Sequence, residues 1–273
     1  MVVRLLAKQK VAGSTPVSRS KMKPIFYILS AILLVNCSRG TTPQLSPEAK
    51  QLAAPVALEE GKAAFIGQVV FQGTPPSPTP LQVASFPECS MAHPKGILSE
   101  DVLVKDDKVE NVFVYVKEGL SGPFPVPQEP IVLDQKGCIY KPHVFGIQVG
   151  QTLTILNSDP MIHNIHSVIA EETLFNVAMP VQGQKLTQTF SKPQVMVTLK
   201  CDIHGWMRAY AGVLPHPFYG VTDEKGNFEI RNIPPGQYTI AAWHERFGEQ
   251  LVKYVTLKPS EIKFVQITFS SIP

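Results

Sequence analysis

Charge is scarce in this chain. Asp, Glu, Lys and Arg make up 17% of its 273 residues, a density that gives no sign of a nucleic-acid surface, so no nucleic-acid partner is expected. Long amphipathic periodicities are also missing, which argues against a helical bundle. The apolar run from Ile25 to Val35 is eleven residues long, short of the roughly 20 that a membrane-spanning helix needs. Cysteine is limited to Cys37, Cys89, Cys138 and Cys201, so each needs its own explanation. What is abundant is punctuation: 25 prolines and 18 glycines separate short runs rich in valine, isoleucine and phenylalanine. That pattern predicts an all-β chain long enough for two small β domains.

The overall charge of +3 conceals an asymmetry. Residues 1–36 hold six basic side chains and no acid, leaving 19 basic against 22 acidic in the rest, a net −3. A basic start, a short hydrophobic core and then Cys37 describe a secretory signal rather than an anchor helix, with Met22 a plausible true start. The run Leu34-Val35-Asn36-Cys37 resembles a bacterial lipobox, although Asn36 stands where a smaller residue is usual. The resemblance implies lipid on Cys37 and a protein held at the membrane of a bacterial cell envelope, facing the periplasm; the alternative is a plain signal peptide cut nearby. Residues 37–62 lack a sustained apolar period and read as a flexible tether, with a reach on the order of 25–30 Å.

The chemistry concentrates in Leu199-Lys200-Cys201-Asp202-Ile203-His204-Gly205-Trp206-Met207, with His163 and His166 about forty residues upstream. A thiolate and two imidazoles make a trigonal site that a thioether completes as a weak axial ligand, a donor set suited to one copper ion cycling between Cu(I) and Cu(II). Zinc favours tetrahedral closure by cysteine and histidine and has no use for the methionine. Each of these residues alone would more often be ordinary core; the combination and its two-residue gaps are what point to metal. Val195, Val197 and Leu199 alternate with Met196, Thr198 and Lys200, so a half-buried strand delivers Cys201 to a loop. The segment from Gly146 to Asn157 reads as strand, glycine turn and strand, ending just before His163.

At these residues the chain resembles the cupredoxins, above all the plastocyanin and amicyanin group. The segment Asp159-Pro160-Met161-Ile162-His163-Asn164 is similar to that family's first ligand segment, and Cys201, His204 and Met207 to its shortest ligand loop. The resemblance implies a Greek-key sandwich, His163, Cys201, His204 and Met207 as ligands, and Asn164 bonded near Asp202 to tie the two ligand loops together. Ile162 and Gly205-Trp206 depart from the family's proline-bearing pattern, so no potential carries over. The resemblance also implies electron exit through an exposed edge of His204, with Met161, Ile162, Gly205 and Trp206 as an apolar patch for a redox partner. His166, three positions along a strand from His163, should face the other way and is expected at the surface, a possible extra ligand only if the register differs.

With Cys37 assigned to lipid and Cys201 to copper, Cys89 and Cys138 are expected to form a disulfide in an oxidising compartment. The alternative is a second metal site from Cys89-x3-His93 and Cys138-x4-His143. The segment Val221 to Ile240, with its Asp223 to Gly226 turn and Pro234-Pro235-Gly236, resembles carboxypeptidase regulatory-like domains, which are small β-sandwiches. Ile66 to Phe71 and Asn111 to Val116 match that family's opening strands. The copper domain, residues 130–215, is therefore expected to be inserted between two halves of a regulatory-like sandwich, 63–129 and 216–273, with domains in series as the alternative. Trp243-His244-Glu245 reads as a strand-end aromatic followed by a surface pair. Two functions remain open, an electron carrier and a copper-holding or adhesion module. An enzyme is not expected, because the ligand set leaves no open coordination position.

Overall fold

The computed structural model describes residues 58–271; the signal, Cys37, Met22 and most of the tether lie outside them. Among the described residues the chain is all-β, and no helix is long and apolar enough to cross a membrane. Eighteen strands follow in order: β1 (Ala63–Gln72), β2 (Val104–Lys105), β3 (Lys108–Val109), β4 (Phe113–Glu118), β5 (Ile131–Gln135), β6 (Tyr140–Lys141), β7 (Val144–Gln148), β8 (Thr152–Asn157) and β9 (His163–Ile169); then β10 (Glu172–Met179), β11 (Lys185–Thr189), β12 (Gln194–Lys200), β13 (Arg208–Leu214), β14 (Tyr219–Val221), β15 (Asn227–Ile233), β16 (Gly236–His244), β17 (Gly248–Leu257) and β18 (Ile262–Ser270). A short helix, α1 (Pro87–Ala92), lies between β1 and β2.

The sheets sort by position in the chain. One runs β15-β1-β3-β2, with β18 parallel to β1, and it faces a sheet ordered β14-β4-β16-β17. Both are built from the two ends of the described chain and enclose a core that includes Phe65, Val114, Phe228, Ile230, Ile240 and Phe269. The other two sheets, β10-β9-β12-β13-β7 and β11-β8-β5-β6, use strands between Ile131 and Leu214 alone. They enclose Leu133, Ile147, Leu153, Ile155, Ile165 and Leu199. The connections β8 to β9 and β10 to β11 cross from one of these sheets to the other, as a sandwich with Greek-key connections requires.

A third core explains why some strands are apolar without alternation. In β4 and the residue before it, Val112, Val114 and Val116 point into the outer sandwich, while Phe113 and Tyr115 point the other way and join Val144, Tyr210, Leu214 and Ala241. β13 does the same in reverse, with Ala209, Ala211 and Val213 turned into the inner core. Strands covered on both faces lose the period-two signal that marks half-buried ones. Gly212 marks a close approach, where a Cβ would lie 2.2 Å from the Phe113 ring. In β12 the alternation holds for Val197 and Leu199, whereas a register irregularity between Gln194 and Val197 leaves Val195 exposed.

The hairpin signal at Asp223 is accounted for by its side chain, which accepts hydrogen bonds from the backbone N–H groups of Lys225 and Asn227, at 2.9 and 2.8 Å. The expectation for Trp243-His244-Glu245 needs correction. His244 is buried, stacked on Phe247 at 4.5 Å, and its Nδ1 accepts the N–H of Arg246 at 3.1 Å. Glu245 is no surface residue either, since it accepts from the Tyr210 hydroxyl at 2.8 Å and meets His143 Nε2 at 2.5 Å. The sequence signal failed because β16 is an inner strand of its sheet, with β4 and β17 on either side.

Two outcomes test this packing. Gly212→Ala should destabilise by about 1–3 kcal/mol, because the Phe113 ring must move in a filled layer; the midpoint of chemical denaturation reads it. The second concerns His244, whose pKa burial lowers from 6.5 to about 4. Below pH 6.5 the unfolded chain takes up a proton that the folded chain refuses, so stability is full above pH 6.5 and falls as pH drops toward 4. The loss is up to about 3 kcal/mol. His244→Phe should flatten that part of the stability curve relative to the unmutated protein.

Candidate metal centre

Antiparallel pairing places Lys200 of β12 opposite His166 of β9, so the start of β9 lies beside the loop that follows Cys201. The loop is closed by its own backbone: the N–H of Met207 donates to the His204 carbonyl at 2.8 Å, and that of Cys201 to the Met207 carbonyl at 3.2 Å. Within this frame Nδ1 of His163 lies 3.0 Å from Nδ1 of His204, and the Cys201 sulfur lies 3.7 Å from the same His204 atom. One donor atom from each of His163, Cys201 and His204 falls within 4.8 Å of the others, and all three residues are buried. Met207 closes the loop, also buried.

The protein groups around these donors hold them in place. Asn164 Oδ1 accepts the N–H of Asp202 at 2.7 Å and lies 3.2 Å from the Cys201 sulfur, and its amide donates to Asp202 and Asn176. One side chain therefore spans both donor segments. His163 Nε2 meets Asp159 Oδ2 at 2.9 Å, which turns Nδ1 toward Cys201 and His204; a carboxylate behind a ligating imidazole is a common means of fixing ring orientation. Asp159 accepts in turn from the N–H groups of Gly137 and Cys138. The sequence reading assigned Asp159 no role, although its i−4 spacing from His163 was visible.

The electrostatics follow from this frame. Burial resists ionisation of Cys201, but hydrogen bonding with His163 and His204 outweighs it and brings the thiol down to about 5, so a thiolate is present at neutral pH, as a metal ligand must be. For Asp159, burial pushes the pKa up, while His163 and the Cys138 and Gly137 amides bring it below the ordinary range. For His163, burial favours the neutral ring, but Asp159 and Cys201 raise the pKa overall.

His166 stays outside this cluster. Its Nδ1 lies 3.0 Å from Asp202 and its Nε2 2.9 Å from Thr173 Oγ1, so it is partly buried in a hydrogen-bonded network rather than free at the surface. Hydrogen bonding from His166 and then from Asn176 and Asn164 holds Asp202 below the usual carboxylate range.

The expected exposed edge of His204 is contradicted. The residue is 3% exposed. The excursion between β1 and β2 lies across it, with the Phe86 ring 4.7 Å away, and Trp206 flanks it at 5.4 Å. Cys89 on α1 is joined to Cys138 by a disulfide, and Trp206 Nε1 donates to the Cys138 carbonyl at 2.9 Å. His93 and His143 are engaged elsewhere, His93 with Gly137 O at 2.6 Å and His143 with Glu245, so they build no second site with these cysteines. Of the expected docking residues, Ile162 and Gly205 are exposed while Met161 and Trp206 are partly covered. Nothing in the local spacing signalled the cover, because Phe86 lies more than a hundred residues from His204.

No protein-family model matches the chain, and neither does any curated protein. Among solved structures, it is similar to a copper-containing nitrite reductase from Thermus scotoductus, at 24% identity over 34% of this chain and 25% of that one, with a TM-score of 0.28. It is also similar to a purple cupredoxin from Nitrosopumilus maritimus, at 23% identity over 30% of this chain and 98% of that one, TM-score 0.28. A reduced amicyanin variant matches at 26% identity over 37% of this chain and 97% of that one, TM-score 0.29. The chain spans about a quarter of the length of the nitrite reductase.

The Asn164 arrangement generates a prediction. Asn164→Ala should cost about 2 kcal/mol of stability, since it strips partners from buried groups, and should loosen the loop that bears Cys201. Chemical denaturation reads the first effect and amide hydrogen exchange at Cys201 and Asp202 the second.

Proposed function

We propose that this chain holds one copper ion with His163, Cys201, His204 and Met207 in a type 1 site and carries electrons in a bacterial cell envelope, tethered by lipid on Cys37. The observation that supports this most is the convergence of His163, Cys201 and His204 donor atoms within 4.8 Å in a buried setting. The residues present fit the metal: an ionised thiol, two imidazoles already turned toward each other and a buried thioether one residue before β13 are soft and mixed donors of the kind copper takes. Bound copper would supply a one-electron couple.

The chain's own residues would do the rest. His163 is oriented by Asp159, the Cys201 thiolate accepts the His204 N–H, and the loop is locked by its backbone bonds. A frame this constrained changes little between two oxidation states, which keeps the reorganisation accompanying electron transfer small. Asn164 and Asp202 act on ligand position, and His166 supports Asp202. The redox partner would dock where Ile162 and Gly205 are exposed, beside the cover over His204. The copper domain would be residues 130–215, inserted in the regulatory-like sandwich 63–129 and 216–273.

The cover also favours a second reading, a copper-holding module, because it separates His204 from solvent. The two differ in an optical and kinetic test. Protein loaded with Cu(II) should take up one equivalent, show intense thiolate-to-copper colour and bleach reversibly with reductant. Cys201→Ser should abolish the colour and His163→Ala should lose or distort it, while His166→Ala, beyond the ligands, should leave the band in place. Persistent colour in Cys201→Ser would overturn the ligand assignment; colour without reversible bleaching would favour the holding module.

A further inference from the structure

The disulfide under the cover lies beside the proposed metal centre, not merely across the domain. The sulfur atoms of Cys89 and Cys138 and a ring nitrogen of His204 all fall within 4.8 Å of one another, and all three residues are buried. The Cys138 sulfur is also 3.5 Å from the thioether of Met161. His204 is thus common to two donor groups, one with His163 and Cys201, the other with Cys89 and Cys138. As a disulfide the second group has no thiolate to offer. As a dithiol it holds two thiolates, a thioether and an imidazole, a set that selects Cu(I).

We propose that in the dithiol state Cys89, Cys138, Met161 and His204 form a separate Cu(I) site, through which copper reaches His163, Cys201 and Met207. The proposal rests on the copper reading for the second step and stands without it for the first. The path is suggested by burial: Cys201 and His204 are covered, and Cys89 is carried on the segment that covers His204. The chemistry balances. Cys89 and Cys138 bind Cu(I) with loss of two protons. They regain them when His204, already shared, keeps the ion and Cys201 replaces their sulfurs, a ligand exchange in which copper stays Cu(I) and no electron moves. A disulfide-bearing oxidant then accepts two electrons and two protons from the thiols, becoming a dithiol as the Cys89–Cys138 bond forms. Closure would leave the ion under the cover.

The test uses the full-length apo chain with and without prior treatment by a phosphine reductant, titrated with Cu(I) against a colorimetric chelator. Because His204 belongs to both groups, each redox form of the unmutated chain should take up one equivalent, and the two sites are told apart by removing the first. In Cys201→Ser, which removes the first site, the reduced form should bind one Cu(I) at least about 100-fold more tightly than its disulfide form, since thiolates dominate the affinity. Adding Met161→Leu or His204→Ala to that background should weaken it by about tenfold each, on the scale expected for a lost ligand. Equal Cu(I) affinity of the reduced and disulfide forms of Cys201→Ser overturns the site. So does equal affinity with and without Met161 and His204, which would mean simple chelation by two thiols. Should Cys201→Ser fail to fold, the same comparison of reduced and disulfide forms is made in His163→Ala, which also removes the first site. The visible colour of the copper-loaded disulfide form is read separately: its absence counts against the type 1 site and leaves the titration result as it stands.

Discussion

The side chain of Asn164 ties together two pieces of chain that are 38 residues apart. Its oxygen receives the Asp202 N–H beside the Cys201 sulfur, and its nitrogen donates to Asp202 and Asn176. Without that bridge the segment bearing His163 and the loop bearing Cys201, His204 and Met207 would lean on the three-residue pairing of β9 with β12 and on the bonds of His166 and Asn176 to Asp202. A buried amide with every polar atom engaged specifies geometry more sharply than apolar contact does, because any displacement leaves a group unpaired in a setting that cannot solvate it. Asp159 extends the same logic outward, linking His163 to the turn that bears Cys138.

Around this frame the molecule is built in layers. The inner sandwich turns the outer face of β13 and β7 toward the outer face of β4 and β16, and an aromatic layer of Phe113, Tyr115, Tyr210, Tyr219 and Trp243 fills the space. The chain therefore crosses into the inner sandwich after β4 and returns at β14, while β14 pairs back onto β4. A second crossing is made by the segment between β1 and β2, which contributes Val83 and Cys89 to the inner core. The outer sandwich thus supplies part of the wall around the donor cluster, and the two halves of the described chain act on one site.

Much of this was legible in the sequence, and the limits have physical causes. The alternation in β8 is clean because one of its faces is half-solvated, and the Asp223 turn is a local hydrogen-bond motif. Continuous apolar runs such as Phe113 to Val116 announce burial on two faces but not what covers the second face. The surface-pair reading of His244-Glu245 failed for that reason: local pattern does not say whether a strand lies at an edge or between neighbours.

By itself the sequence determined the all-β character, the turns, the strand that delivers Cys201, and the spacing that lets Cys201, His204 and Met207 share one short loop. Those are properties of period, turn chemistry and adjacency, which act over a few residues. The tertiary structure decided that Asp159 orients His163, that His166 braces Asp202 instead of joining the cluster, and that Phe86 and the Cys89–Cys138 bridge roof His204. Each depends on groups far apart in the chain meeting at one place, and such meetings are set by sheet register and core packing, to which no local pattern is sensitive.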